Sequence, residues 1–194
     1  MAPFQDMISV AIVDDHPAIR LGLAALVRRE PGFVLALNAS DGPEATAELE
    51  RHPIDIAVAD FQLPSGDGLA LCRRLKKAGY CRAAVLYSAF ANEWLTIAAR
   101  VGGLDGVVNK GVPASDLFEA LRLVGKGCQS FADTAVNDLR QASELVEPED
   151  QPVLGMLLNG TAEQDIGSLL GVSAEAVQLR VERMLAVLKP RAKS

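Results

Sequence analysis

Four short apolar runs, each delivering a polar residue at its end, constrain this chain more than any other feature. Ile8–Val13 runs into Asp14-Asp15, Ile54–Ala59 into Asp60, Ala83–Tyr87 into Ser88, and Gly106–Asn109 into Lys110. Apolar runs this short, separated by helical patterns, read as buried parallel strands. In open parallel sheets, ligands sit outside the carboxyl ends of the strands. Three acids, a hydroxyl and a lysine delivered to that edge are the components of a metal-assisted phosphoryl site.

The segments between the runs have helical spacing. Pro17–Arg29 carries Ile19, Leu23, Leu26 and Val27 on one stripe and stops at Pro31-Gly32. A second strand, Phe33–Leu37, precedes a helix over Glu44–Arg51. Pro64–Gly68 is a turn into a helix through Leu69, Leu71, Cys72 and Leu75, and Asn92–Val101 and Ser115–Val124 complete the alternation. Five strands and five helices in strict order predict an α/β domain, a flavodoxin-like, five-stranded, doubly wound parallel sheet, over residues 1–128. Such a sheet places its first and third strands side by side, so Asp14, Asp15 and Asp60 converge.

Residues 129–147 lose the alternation and turn polar and acidic, as a linker would, with a helix around Ala135–Leu145. Residues 148–189 are helical in pattern, as three short segments. Glu149–Leu158 ends at Asn159-Gly160, and a capping box at Thr161–Gln164 opens a second helix that ends at Gly171. The third opens at Ser173, aligns Val177, Val181, Met184, Leu185 and Leu188 on one face, and stops at Pro190.

Several classes of protein are excluded. No apolar stretch approaches the roughly 20 residues of a membrane helix, and Met1–Asp6 lacks the basic start of a signal peptide. A cytoplasmic protein with no membrane role is the expectation. Cys72, Cys81 and Cys128 form no CxxC, so reduced buried thiols are the default, and His16 and His52 are too few and too far from them for zinc. No Gly-rich turn follows the first strand, which removes a dinucleotide-binding reading. His16 itself reads as a polar loop residue.

Three adjacent carboxylates repel unless a cation joins them. Magnesium suits a site of oxygen ligands that must also hold phosphate. Lys110 can then meet one phosphoryl oxygen as a point charge while Ser88 donates to another. Asp60 stands singly at a central strand end, ahead of a loop, and is the expected nucleophile. A phosphohydrolase would need a further water-activating acid, and none is evident; the chain is not expected to be an enzyme.

These residues carry a resemblance. Asp14-Asp15-His16, Asp60–Gly68, Ser88-Ala89 and Val108-Asn109-Lys110 occur in the order and spacing of the receiver domain of two-component response regulators, over about residues 7–128. The resemblance implies Asp60 as phosphoacceptor, phosphorylated by a sensor histidine kinase, with Ser88 and Lys110 assisting. It also implies Mg2+ held by Asp15 and Asp60 with Asp14 nearby, and by the Gln62 backbone carbonyl. Small Ala89 leaves room for the phosphoryl group. One position departs: the family often has Tyr or Phe three residues before the lysine, where this chain has Val107.

Residues 149–188 resemble the LuxR-type (NarL/FixJ class) helix-turn-helix domain, through Val153-Leu154, Leu157-Leu158, Gly160, Ile166, Leu169-Leu170, Val172-Ser173 and Val177. The resemblance makes Ala174–Lys189 a DNA recognition helix, with Gln178, Leu179, Arg180 and Arg183 as contacts and dimerisation on phosphorylation. The family usually places a lysine after Val177 and another basic residue four positions later, but this chain has Gln178 and Glu182. No clear fourth helix follows. Over residues 129–194 there are 6 Lys and Arg against 10 Asp and Glu, so bulk charge does not advertise DNA binding. The expectation is a transcription regulator with weak DNA contacts. The alternative is a response regulator whose degenerate helical output binds protein or dimerises.

Overall fold

The computed structural model describes residues 7–189, so Pro190, read as the last helix stop, lies outside the described residues. The chain runs β1 (Ile8–Val13), α1 (Pro17–Val27), β2 (Phe33–Ala39), α2 (Gly42–Arg51), β3 (Ile54–Ala59), then a hairpin of β4 (Gln62–Leu63) and β5 (Gly66–Asp67). It continues as α3 (Gly68–Lys77), β6 (Cys81–Ser88), α4 (Glu93–Val101), β7 (Gly106–Asn109) and α5 (Ala114–Gly125). Four further helices follow: α6 (Val136–Leu145), α7 (Gln151–Leu158), α8 (Glu163–Leu170) and α9 (Ala174–Leu188).

The main sheet has the order β2-β1-β3-β6-β7, every pair parallel. This is the doubly wound arrangement that the alternating runs predict, with β1 beside β3 where the strand order reverses. The small β4–β5 hairpin, which sequence spacing renders as a plain turn, folds the segment after Asp60 back on itself, pairing Gln62 with Asp67.

Alternate residues of each central strand enter different layers. Val10 and Ile12 pack with Leu23 and Val27 of α1 and with Leu117 and Leu121 of α5. Ala11 and Val13 face the layer that holds Leu49, Leu69, Leu75 and Leu95. That second layer does not stop at the receiver. It continues without a break into Val153, Ile166, Val177, Val181 and Leu185 of the C-terminal helices.

Helix α4 explains the continuity. Leu95, Thr96, Ile97, Ala98, Ala99 and Val101 are all buried, because α4 packs on β7 and also carries α6, α7 and α9. A helix with one free face would show a polar stripe there. Instead the face of α9 that the spacing of Val177, Val181, Met184, Leu185 and Leu188 marks as apolar is wholly buried.

Two local features differ from the sequence reading. The capping box at Thr161 does not form: α8 begins at Glu163 behind Ala162, with no side-chain cap. Glu163 reaches α3 instead, 2.6 Å from Arg73 and 3.2 Å from Lys77, and so anchors the first turn. The segment after α5 is not a free linker at its start. The Ser130 N–H donates to the Asp105 carbonyl at 2.7 Å, and the Val107 N–H donates to the Ser130 carbonyl at 3.2 Å. Ser130 thereby covers the open edge of β7, which would otherwise present unpaired backbone groups. Gly106 makes this possible, since a Cβ there would come within 2.8 Å of the Ser130 carbonyl oxygen.

Candidate functional site

The carboxyl ends of β1, β3, β6 and β7 bring Asp14, Asp15, Asp60, Ser88 and Lys110 to one edge. The Asp60 N–H donates to the Val13 carbonyl at 2.8 Å, extending the β1–β3 pairing by one step and holding the two acidic positions level. Ligand atoms from Asp14, Asp15, His16 and Asp60 all lie within 4.8 Å of one another. Asp14 and Asp60 are buried at 2 % and 5 % exposure, and Ser88 is fully enclosed.

Lys110 is the counter-charge. Its Nζ lies 2.6 Å from Asp60 Oδ2 and 2.7 Å from Asp14 Oδ2. Burial alone would push the ammonium below the ordinary lysine pKa, but the hydrogen bonds to Asp14 and Asp60 outweigh it and hold it above. The lysine is placed by β7, whose pairing with β6 continues as the Lys110 N–H donates to the Ser88 carbonyl at 3.0 Å. Ser88 Oγ accepts from the Phe90 N–H at 3.1 Å, which closes the turn through Ala89.

Asp15 is differently situated. Its Oδ1 lies 2.7 Å from His16 Nδ1 and accepts no other hydrogen bond. An acceptor so placed beside two other carboxylates suits a hard divalent cation with oxygen ligands, so the residues present fit Mg2+. Asp14, Asp15 and Asp60 would hold it, with Gln62 on the adjoining hairpin. In sequence His16 reads as a polar loop residue, and its place among these acids is set by its own backbone: the His16 N–H donates to Asp14 Oδ1 at 2.8 Å as α1 begins.

The loop after Asp60 has no slack. An added Cβ on Gly68 would lie 1.8 Å from the Asp60 carbonyl oxygen, and the Gly68 N–H donates to the Phe61 carbonyl at 2.8 Å. Only a glycine lets α3 begin directly against the backbone of Asp60. Asp67, just before it, caps α3 by accepting from the Ala70 N–H at 2.7 Å.

Val107, where the family often has Tyr or Phe, is half-buried on β7 beneath the chain at Ser130. The neighbouring aromatic ring comes from the following segment: Phe131 packs against the main apolar layer, with the Arg100 guanidinium 4.8 Å from its centroid. No local signal in the sequence marks this contact, because it depends on how the segment after α5 docks.

The four residues read as DNA contacts do not form one open basic face. Gln178 Nε2 donates to Glu182 Oε1 at 3.1 Å, and both line a groove against α3. Leu179 is exposed. Arg180 Nη1 donates to the Glu149 carbonyl at 2.9 Å, while Arg183 Nη2 lies 2.9 Å from Asp150 Oδ2. Asp150 is only 1 % exposed, so these two arginines neutralise a buried acid at the start of α7. Arg191 and Lys193, two of the remaining basic residues of the output segment, lie outside the described residues.

Comparison with known proteins gives a consistent picture. The family described as the response regulator receiver domain matches residues 10–122. The DNA-binding transcriptional activator DevR/DosR of Mycobacterium tuberculosis is 28% identical over 192 residues, covering 94% of this chain and 88% of that protein. The nitrate/nitrite response regulator protein NarP of Escherichia coli is 28% identical over 201 residues, covering 98% and 91%. Among solved structures, the response regulator ChrA of a heme-sensing two-component system superposes with a TM-score of 0.55 at 26% identity, over 92% of this chain and 88% of that one.

Proposed function

We propose, from the premise that this chain belongs to the response regulator receiver domain family, that Asp60 accepts a phosphoryl group and the C-terminal helices carry the signal to DNA. The observation that carries this reading is Lys110, bonded at once to Asp14 and Asp60 at the carboxyl edge of the sheet. A lysine so held can follow negative charge from the carboxylate onto an incoming phosphoryl group without leaving its pocket.

In this reading the chain is cytoplasmic and its phosphoryl donor is a sensor histidine kinase. Asp14, Asp15, Asp60 and the Gln62 carbonyl would hold Mg2+, which when bound would neutralise charge on the phosphoryl oxygens. An Asp60 carboxylate oxygen forms the bond to phosphorus as the donor's own bond to phosphorus breaks. Ser88 and Lys110 then take the phosphoryl oxygens, and Lys110 is drawn from Asp14. Among the described residues no helix is long and apolar enough to cross a membrane. Residues 1–128 act as receiver, 129–147 as connector and 148–194 as output.

DevR/DosR is named a DNA-binding transcriptional activator, and the length of the match extends that activity to this chain as a proposal. Docking of α9 on α4 and pairing of Arg180 and Arg183 with Glu149 and Asp150 describe an output segment not yet presented to DNA. Phosphorylation would release it, and a homodimer would join two modest half-site affinities. The exposed Leu169 and Leu179 support the second reading, an output segment that meets protein. Labelling the full chain with acetyl phosphate and magnesium, followed by gel shifts with and without label, separates the two. Label-dependent DNA retention supports the first reading; labelling with a change in oligomeric state and no retention supports the second.

A further inference from the structure

Asp67 stands at a junction that the phosphoryl chemistry leaves unused. Its Oδ1 accepts from the Ala70 N–H at 2.7 Å and so caps α3, while its Oδ2 accepts from Lys189 Nζ at 3.1 Å. Lys189 follows directly on α9, so one carboxylate joins the start of one helix to the end of another. Helix α3 holds the preceding helix as well, since Glu163 in the first turn of α8 lies 2.6 Å from Arg73 and 3.2 Å from Lys77. Both helices that resemble a helix-turn-helix pair are thus tied by charge to α3. Between these ties α3 and α9 leave a groove of about 330 Å³, so apolar packing does not close that face by itself.

The other end of the junction is Asp60. Asp67 pairs with Gln62 across the β4–β5 hairpin, and the Gly68 N–H donates to the Phe61 carbonyl at 2.8 Å. A Cβ on Gly68 would lie 1.8 Å from the Asp60 carbonyl oxygen. The backbone from Asp60 to Gly68 therefore closes on itself, and a shift at Asp60 reaches Asp67. The two bonds of the Asp67 carboxylate respond differently to such a shift. The cap joins residues three apart in one segment and travels with it, whereas Lys189 belongs to a different element. A displaced Asp67 keeps the cap and loses the lysine.

We propose that the Asp67–Lys189 pair is a latch through which the state of Asp60 controls the docking of α9. The inference rests on the reading of Asp60 as phosphoacceptor and names the route by which its signal leaves the site. With Asp60 unmodified the pair is closed and α9 is held against the receiver. A phosphoryl group on Asp60 shifts the loop to Gly68 and opens the pair. Because both side chains are partly exposed, the pair biases docking by about two- to fivefold and leaves it reversible. Linkage is reciprocal, so whatever opens the latch favours the phosphoryl-bearing form by the same factor.

Hydrogen exchange of the unphosphorylated full chain, read over α9 by mass spectrometry, tests the latch in the parent, Lys189→Gln, Asp67→Asn and the double variant. Asparagine caps a helix as well as aspartate does, so Asp67→Asn keeps the cap and removes only the charge. Each single variant should speed exchange over α9 by about two- to fivefold, and the double variant should add nothing, because the same interaction is lost in all three. Arg74→Gln removes an exposed charge of α3 that enters no ion pair among the described residues, and should leave α9 at the parental rate. Titration with beryllofluoride and magnesium, a phosphoryl mimic, then reads the coupling: Lys189→Gln should bind it more tightly than the parent by the factor seen in exchange. Parental exchange in both single variants would overturn the proposal, as would additive effects in the double variant or equal beryllofluoride affinity in parent and Lys189→Gln. Beryllofluoride binding to neither protein, with exchange altered as expected, would instead overturn the phosphoacceptor reading and the coupling built on it, while the pair would still be shown to hold α9.

Discussion

Lys110 Nζ lies 2.6 Å from Asp60 Oδ2 and 2.7 Å from Asp14 Oδ2, so one ammonium occupies the carboxylate oxygens that a divalent cation would also seek. Removing it has two opposite consequences. Lys110→Ala leaves two buried acids facing each other uncompensated, and breaking such a buried pair costs about 3–5 kcal/mol at most. The same change frees those oxygens for metal. Lys110→Ala is therefore expected to lower the unfolding midpoint in a chelator, to regain much of it on adding magnesium, and to bind magnesium no more weakly than the parent. Denaturant melts with and without magnesium read this directly. A large loss of magnesium affinity would show that the lysine organises the metal site rather than competing with it.

The same lysine sets an alkaline limit. Its pKa in the folded chain is raised, so its stabilising contribution is complete at neutral pH. That contribution is lost as pH climbs above the unfolded lysine value, near 10.4, and through the raised folded one. In the parent, stability should fall over that range, and in Lys110→Ala the fall should be shallower. Parallel slopes in urea melts between neutral pH and the alkaline range would remove Lys110 as its source.

Asp60 is the expected phosphoacceptor because Asp14 and Asp15 are turned to other tasks. Asp14 accepts from the His16 N–H at 2.8 Å, and Asp15 Oδ1 lies 2.7 Å from His16 Nδ1. Incubation with acetyl phosphate and magnesium should add phosphoryl mass to the parent and none to Asp60→Asn. Equal labelling of the two proteins would place the nucleophile elsewhere.

Gly68 ties the acceptor to α3 with no room for a methyl group. Gly68→Ala forces the Asp60 backbone or the start of α3 to move, and overpacking of this kind costs about 1–3 kcal/mol. Phosphoryl labelling should fall further than stability does, since a small displacement of Asp60 misaligns it with Lys110. A variant that labels at the parental rate would show that the loop relaxes without disturbing Asp60.

The residues of the phosphoryl edge were legible for a physical reason. A parallel strand buried on both faces must be an unbroken apolar run, so the polar residue that ends it stands out, as Asp60 does after Ile54–Ala59. The buried face of α9 was legible likewise, because Val177, Val181, Met184, Leu185 and Leu188 repeat at helical spacing. What they pack against was not. The burial of α4 from Leu95 to Ala99, the pairing of Ser130 with β7 and the reach of Glu163 to Arg73 are contacts between segments distant in the chain. Composition gives them no periodic trace. Arg180 and Arg183 illustrate the cost: in sequence they are basic residues on a helix, and in the fold they serve Asp150.

Helix α9 carries the last prediction, because the residues that break the expected basic pattern also line the groove against α3. Gln178 and Glu182 face a wall bearing Arg73, Arg74 and Lys77. Gln178→Lys with Glu182→Lys therefore acts twice. Across the groove, new positive charges oppose existing ones and loosen docking, so DNA binding should depend less on phosphorylation. On DNA, each lysine that reaches a phosphate should steepen the salt dependence by about 0.9 log units per decade of salt. Gel shifts of parent and double variant over a salt series, each with and without phosphoryl label, separate the effects. A gain in affinity without a steeper slope would mean that only docking had changed. If the double variant binds no better at any salt, α9 does not meet DNA, and the exposed Leu169 and Leu179 point to a protein partner instead.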